Sequence, residues 1–244
     1  MNQPFHFKEF TIEQDRCAMK IGTDGVLLGA WVSTQNNPAS VLDIGTGTGI
    51  IALQLAQRSN AEIVDAIEID DDAYEQCVDN FENSSWGDRL FCYHASLGEF
   101  VEEVEDKYDI VVSNPPFYAP SLSPNSEEEN KISESRKLAR FNDALPFDEL
   151  IKGASLLLSN EGIFAVIIPR NEEENFIKIA VQVNLFPKRI CRVRGNKTSE
   201  EKRSMIEFSF KKTPVIIENL IIENSRHEYT DEYIGLVQDF YLKM

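Results

Sequence analysis

"VLDIGTGTGIIALQLAQR", residues 41–58, decides the fold. Four mostly apolar residues run into glycines at 45, 47 and 49, and an amphipathic stretch follows at once. That order reads as strand, tight loop, helix. Such a unit belongs to a parallel sheet, whose ligands sit outside the carboxyl ends of the strands. The alternation continues outward: strands at 63–69, 90–93, 108–113 and 162–168, with helices over 49–59, 71–82 and 146–159. Beyond 168 come a helix over 172–184 and two alternating strands, 188–195 and 203–212, which read as antiparallel neighbours at a sheet edge. A short strand at 219–224 and a closing helix over 230–242 complete the pattern. The expected fold is α/β and Rossmann-like: a mostly parallel seven-stranded sheet, helices on both faces, an antiparallel edge strand. One domain is expected over 1–244, with an N-terminal extension 1–40 and a long polar loop insertion 118–145.

The glycine spacing bears on the ligand. A dinucleotide fingerprint, G-x-G-x-x-G, would need its third glycine at Ile50; here the pattern is G-x-G-x-G, with Thr46 inside it. Asp43, just before the glycines, would repel a phosphate and attract an ammonium group. Glu68 closes the next strand in "DAIEID", followed by Ile69, where a carboxylate can accept both hydroxyls of a ribose. Adenosine carrying a cationic amino-acid tail and no phosphate suits this pair: S-adenosylmethionine. A glycine turn of an ordinary βαβ unit, with Glu68 solvated, is the plainer alternative.

"VVSNPPFY", 111–118, ends the fourth strand in Asn114-Pro115-Pro116-Phe117. The prolines stiffen the chain and end the ladder. An Asn oxygen and a backbone carbonyl can take the two hydrogens of an amino group on a planar ring, a poor nucleophile until it is so oriented. Phe117 would stack on the ring, a contact worth ~1–3 kcal/mol.

Composition narrows the setting. The 244 residues are 42% hydrophobic and 27% charged, as a folded chain requires. A formal net charge of −17 argues against indiscriminate nucleic-acid binding. Four cysteines and three histidines show no metal-binding spacing, so no metal is expected. The N-terminus has no signal-peptide pattern and no apolar run approaches a membrane span, so a cytoplasmic monomer is expected.

Together these motifs resemble class I S-adenosylmethionine-dependent amino-methyltransferases. "FKEFTIEQDRCAMKIGTDGVLLGAW" (7–31) before the glycine loop narrows the resemblance to the bacterial tRNA(valine) adenine N6-methyltransferases, which modify nucleotide 37 beside the anticodon. That resemblance covers essentially the whole chain. It implies that Asp43, Gly45, Thr46, Gly47, Gly49, Glu68, Ile69 and Asn114 bind the cofactor. It implies that Lys20, Gly22, Thr23 and Asp24 line its methionine end, and that Asn114, Pro115, Pro116 and Phe117 hold the target base. Where many relatives carry an acid after the third strand that contacts the cofactor's adenine, this chain has Ser96, which the resemblance puts in that cofactor-binding place. The motifs alone also admit a methyltransferase for ribosomal-RNA guanine N2 or protein glutamine N5, or a non-catalytic nucleoside-binding subunit.

A tRNA substrate asks for local positive charge. Between 186 and 203, Lys188, Arg189, Arg192, Arg194, Lys197, Lys202 and Arg203 face Glu200 and Glu201, seven bases against two acids, or +5. Lys131, Arg136, Lys137 and Arg140 in the loop face Glu134. Both clusters are expected to contact phosphates.

Overall fold

The computed structural model describes residues 3–116 and 145–244. Phe117, Tyr118 and the loop bases Lys131, Arg136, Lys137 and Arg140 lie outside the described residues. The chain opens with a hairpin of β1 (Phe5–His6) and β2 (Thr11–Ile12), then α1 (Thr23–Trp31). There follow β3 (Ser40–Ile44), α2 (Ile50–Arg58), β4 (Ile63–Glu68), α3 (Asp71–Glu82), β5 (Leu90–His94), α4 (Leu97–Glu103) and β6 (Tyr108–Ser113). The second part holds α5 (Phe147–Leu157), β7 (Leu158–Pro169), α6 (Glu173–Gln182), β8 (Phe186–Asn196), β9 (Glu201–Ser209), β10 (Ile216–Ser225), β11 (Glu228–Tyr229) and α7 (Asp231–Val237).

Nine strands form one sheet in the order β11-β10-β8-β9-β7-β6-β3-β4-β5. From β5 to β7 all neighbours are parallel. Apolar cores cover both faces, one under α1, α2 and α7 and one under α5 and α6. The expected seven strands are nine: the antiparallel pair β8 and β9 is interior, β9 lying between β7 and β8, and β10 and β11 extend the sheet to an edge where β11 is the antiparallel strand. The reason is in the polar residues of β9. Ser204 and Glu207 point to opposite faces of β9, and each is buried against a partner there, Ser204 on Glu173 and Glu207 on Arg189.

Strand direction sets where function can lie. The two antiparallel steps around β9 cancel, so β8 and β10 run with β3 to β7. The carboxyl ends of seven strands therefore share one edge of the sheet, and β9 begins there.

α1 was not legible and falls within the supposed extension. Every residue from Gly25 to Trp31 is buried, so it has no polar stripe and no helical period to read. Gly29 lets it lie close on α2; a Cβ there would stand 2.2 Å from Gln54 Oε1. Arg58 at the end of α2 donates to the α1 carbonyls of Gly29 and to Val32, each at 2.8 Å.

Glu173 joins α6 to the sheet. It is 3% exposed and accepts from Arg192 Nη2 at 2.8 Å and Nε at 3.2 Å, and from Ser204. Burial pushes its carboxyl up, but the bonds from Arg192 and Ser204 and the charge of Arg170 outweigh this and hold it below the usual glutamate range. The carboxylate therefore stabilises the fold at neutral pH, and that contribution is lost as pH falls through the depressed value. Glu173→Gln should lower the unfolding free energy by about 2 kcal/mol at pH 7 in urea titrations. The gap to the wild type should narrow below about pH 4.

Candidate active site

At the end of β3, Asp43 is fully buried. Thr46 Oγ1 donates to its Oδ2 at 2.6 Å, while Oδ1 is buried without a partner. Burial, with a smaller push from the charge of Glu68, raises Asp43 to about 7 against the opposing hydrogen bond from Thr46. Gly47 (φ 57°) and Gly49 (φ 82°) turn the chain through the left-handed region. Their roles differ. Nothing stands within 4 Å of where a Cβ on Gly47 would be, whereas on Gly49 it would meet Phe81 at 2.6 Å. Gly45 has the same open space as Gly47, so the loop presents bare backbone outward and packs tightly behind.

Glu68 at the end of β4 holds this loop in place. Its Oε2 accepts the Gly47 amide at 2.8 Å, and its Oε1 accepts those of Ile69 at 2.9 Å and Asp70 at 3.0 Å. Beside it Ile69 is 56% exposed, an apolar surface at the lip of the crevice. These residues fit the expected cofactor: an orphaned buried carboxylate oxygen for an ammonium, open glycine backbone, and a fixed acid for ribose hydroxyls. Ser96 serves otherwise than expected. Its hydroxyl donates to Glu99 Oε2 at 2.7 Å and accepts the Glu99 amide at 3.2 Å, forming the capping box of α4.

Asn114 and Pro115 follow β6 directly, Asn114 half-buried and Pro115 buried. Ser113 Oγ donates to the Ile44 carbonyl at 2.8 Å, tying the corner to the glycine loop. α1 closes the other side: a Cβ on Gly25 would lie 3.9 Å from Asn114 Nδ2. Lys20, Gly22 and Thr23 are exposed on the segment leading into α1, and Asp24 Oδ2 takes Arg203 Nε at 2.7 Å. The segment is strapped across α3. Asn80 accepts the Glu13 amide at 2.8 Å and donates to the carbonyls of Glu13 at 3.0 Å and Thr48 at 2.9 Å, so one side chain holds both strap and glycine loop. Gln76 accepts the Arg16 amide at 2.9 Å. Sequence reasoning missed Ser113, Gly25 and Asn80. The available signal was two amides, Gln76 and Asn80, on the same helical face as buried Ala73, Cys77 and Phe81.

The basic strip needs correction. Arg189 binds Glu207 twice, donates to the Trp31 carbonyl at 2.7 Å and lies 3.9 Å over the Trp31 ring. Arg192 is paired with Glu173, and Arg194 with Glu201 at 2.8 Å. The +5 count fails because Asp24, Glu173 and Glu207 reach the arginines from outside the window. Lys188 and Arg189 also lie near the start of β8, roughly 26 Å of extended strand from Asn196 at the site edge. Arg194, Lys197, Lys202 and Arg203 are the members that lie at the edge of Asn114.

Comparison with known proteins agrees with this geometry. The family model of the methyltransferase small domain matches residues 21–139. A protein of Christiangramia forsetii named tRNA1(Val) (adenine(37)-N6)-methyltransferase is 60% identical, covering 100% of this chain and 99% of its own. Proteins of the same name from Bacteroides fragilis and Trichodesmium erythraeum are 45% and 43% identical, over 100% and 98% of this chain and 100% and 98% of theirs. Among solved structures, a predicted O-methyltransferase from Agrobacterium tumefaciens superposes with TM-score 0.67 at 18% identity, over 89% of this chain and 96% of that one. The ribosomal protein L11 methylase of Lactobacillus delbrueckii subsp. bulgaricus gives 0.53 at 16%, over 77% and 78%. The fold is that of the Rossmann-like class I methyltransferases. Among the described residues no helix is long and apolar enough to cross a membrane, and no group of three His, Cys, Asp or Glu could hold a metal ion.

Two binding measurements test the crevice. In calorimetry, Glu68→Ala should weaken S-adenosylhomocysteine by about tenfold or more; tight NADH binding instead would overturn the assignment. A cationic ligand needs Asp43 ionised, so affinity should rise as pH passes upward through about 7, with proton release. Asp43→Asn should flatten that dependence.

Proposed function

The chain belongs to the family of tRNA1(Val) (adenine(37)-N6)-methyltransferases, an enzyme that methylates the N6 amino group of an adenine in tRNA, and from that premise we propose how its own residues carry out the transfer. The observation that carries the reading is the juxtaposition of the Asn114-Pro115-Pro116 corner with the glycine loop, joined through Ser113 and Ile44.

S-adenosylmethionine supplies the methyl group as a sulfonium, an electrophile that needs no metal. Asp43 would hold the ammonium of its amino-acid part, Glu68 the ribose hydroxyls, and Ile69 would lie against the base. Lys20, Gly22 and Thr23 are placed to border the methionine end, and Asp24, held by Arg203, fixes the first turn of α1 there. On the substrate side, Asn114 Oδ1 and the Pro115 carbonyl accept the two N6 hydrogens. Drawing on those hydrogens lets the nitrogen lone pair leave conjugation with the ring and turn toward the methyl group. The same two oxygens stabilise the positive charge that grows on nitrogen; the sulfonium would leave as the neutral thioether S-adenosylhomocysteine, and the methylated nitrogen, now strongly acidic, would release its extra proton to solvent, so no strong base is required. Pro115 and Pro116 fix the carbonyl direction. Phe117 follows in sequence and would stack on the adenine.

The RNA is assigned to the same sheet edge, over Lys197 and Lys202, with Arg194 and Arg203 behind them in their ion pairs. An anticodon loop offers splayed bases, and the target adenine must leave its stack to reach the corner.

Asn114→Ala should retain S-adenosylhomocysteine affinity and lose methyl transfer to an unmodified valine tRNA by at least a hundredfold. Digestion of the product should yield N6-methyladenosine at nucleotide 37. N2-methylguanosine, or label in protein glutamine, would move the chain to one of the rival reactions. Transfer unaffected by Asn114→Ala would overturn the role given to the corner.

A further inference from the structure

A hollow of about 630 Å³ opens where the hairpin of β1, the start of α1, the end of β10 and α7 meet. Of its lining, the mechanism above uses only Gly22 and Thr23, on the side that faces the cofactor. Its walls are aromatic: Phe5, Tyr229, Tyr233 and Tyr241. Tyr229 and Tyr233 lie 5.2 Å apart between ring centroids, and Phe5 meets Tyr241 edge-on at 6.1 Å. Tyr233 is buried, and Phe5, Tyr229 and Tyr241 are half-buried. Glu223 at the end of β10 lines the hollow as well.

Its position is what gives it meaning. β10 runs with β3 and β6, so its carboxyl end reaches the same sheet edge as Asn114. Gly22 and Thr23 form part of the wall, and Gly25, within one helical turn of them, stands against Asn114. The wall is thus roughly 10 Å from the catalytic corner. A second hollow of about 290 Å³, lined by Asn196, Lys197 and Arg226 among others, adjoins it through the shared Glu223. Aromatic walls, the Glu223 carboxylate, Lys243 within the hollow and Lys197 and Arg226 beside it together suit a nucleobase with its phosphate.

We propose that this hollow is a second base-binding pocket, which receives a nucleobase of the same RNA one or two positions from the target adenine. The inference rests on the tRNA reading above and deepens it. The base stacks on Tyr229 and against Phe5 or Tyr241. Glu223 accepts a hydrogen bond from an exocyclic amino group, so adenine, guanine or cytosine is preferred over uracil. The flanking phosphate lies over Lys197 and Arg226. Holding a neighbour keeps the anticodon loop splayed while the adenine occupies the Asn114 corner, which places binding energy away from the reacting atoms at the service of orientation there.

The test crosses enzyme variants with RNA variants. Anticodon stem-loops of valine tRNA are made with an abasic site at each of the two nucleotides on either side of the target, one at a time, and KM and kcat are measured. For the wild type, one of these sites should raise KM roughly tenfold. Tyr229→Leu should raise KM on the intact stem-loop by a similar factor and show no further loss with that abasic RNA, and Tyr229→Phe should restore wild-type behaviour. S-adenosylhomocysteine affinity, measured alongside, should match the wild type. If Tyr229→Leu loses that affinity through misfolding, Phe5→Leu takes its place in the same crossing. If every abasic site costs the variant as much as it costs the wild type, the pocket is overturned and the adenine reading stands. If the wild type transfers no methyl to the intact stem-loop, the underlying reading fails instead.

Discussion

Ile44 and Ser113 are paired neighbours at the ends of the two central parallel strands, and the Ser113 hydroxyl donates across to the Ile44 carbonyl at 2.8 Å. Both chains leave the sheet in the next residue, one as Gly45 and the other as Asn114. Adjacent strands lie about 4.8 Å apart, so this register alone sets a cofactor loop beside an amine-holding corner. A slip of one residue would turn Asp43 to the other face of the sheet and carry Asn114 with its prolines into the ladder, where proline cannot pair. Register is fixed by burial: Leu42, Ile44, Val111 and Val112 are all 2% exposed or less, on strands covered on both faces.

The remaining supports converge on the same two strand ends. Glu68 draws the glycine loop toward β4 through Gly47, and Asn80 draws it toward the N-terminal strap through Thr48. α1 lies on the far side of Asn114, where Gly25 leaves room for the side chain and the Asp24–Arg203 pair fixes the helix start against β9. Each of these groups is neutral in the reaction itself. Their effect is to remove freedom from Asp43, Gly47 and Asn114, which suits a reaction that turns on orientation.

What the sequence disclosed follows from where the information was local. The helix over 71–82 is legible because Asp71 and Asp72 sit where a helix start favours acids, and the structure adds Asp70 as its cap. The glycine loop, Glu68 and the proline corner were legible because each is a contiguous motif at a strand end. α1 escaped because a helix buried on all sides carries no amphipathic period. β9 reads as an edge because the partners that bury its polar residues on either face, Arg189 and Glu173, lie 18 and 31 residues away. The arginine strip failed for the same reason: local charge counting sees Glu200 and Glu201 and misses acids that the sheet and α6 bring from a distance.

That failure sharpens the electrostatic picture. With Arg189 and Arg192 used inside the fold, little of the chain's positive charge is left to advertise to solvent, and the body keeps a net charge of −17. Such a surface repels phosphate from most directions. Lys197 and Arg226 follow the ends of β8 and β10, and Lys202 lies at the start of β9, all on the sheet edge where seven strands end and Asn114 lies. A polyanion therefore finds attraction at one rim and repulsion elsewhere, which orients it without binding it strongly. Affinity must then come from contacts that read more than charge, and the aromatic hollow at that same rim is where the structure offers them.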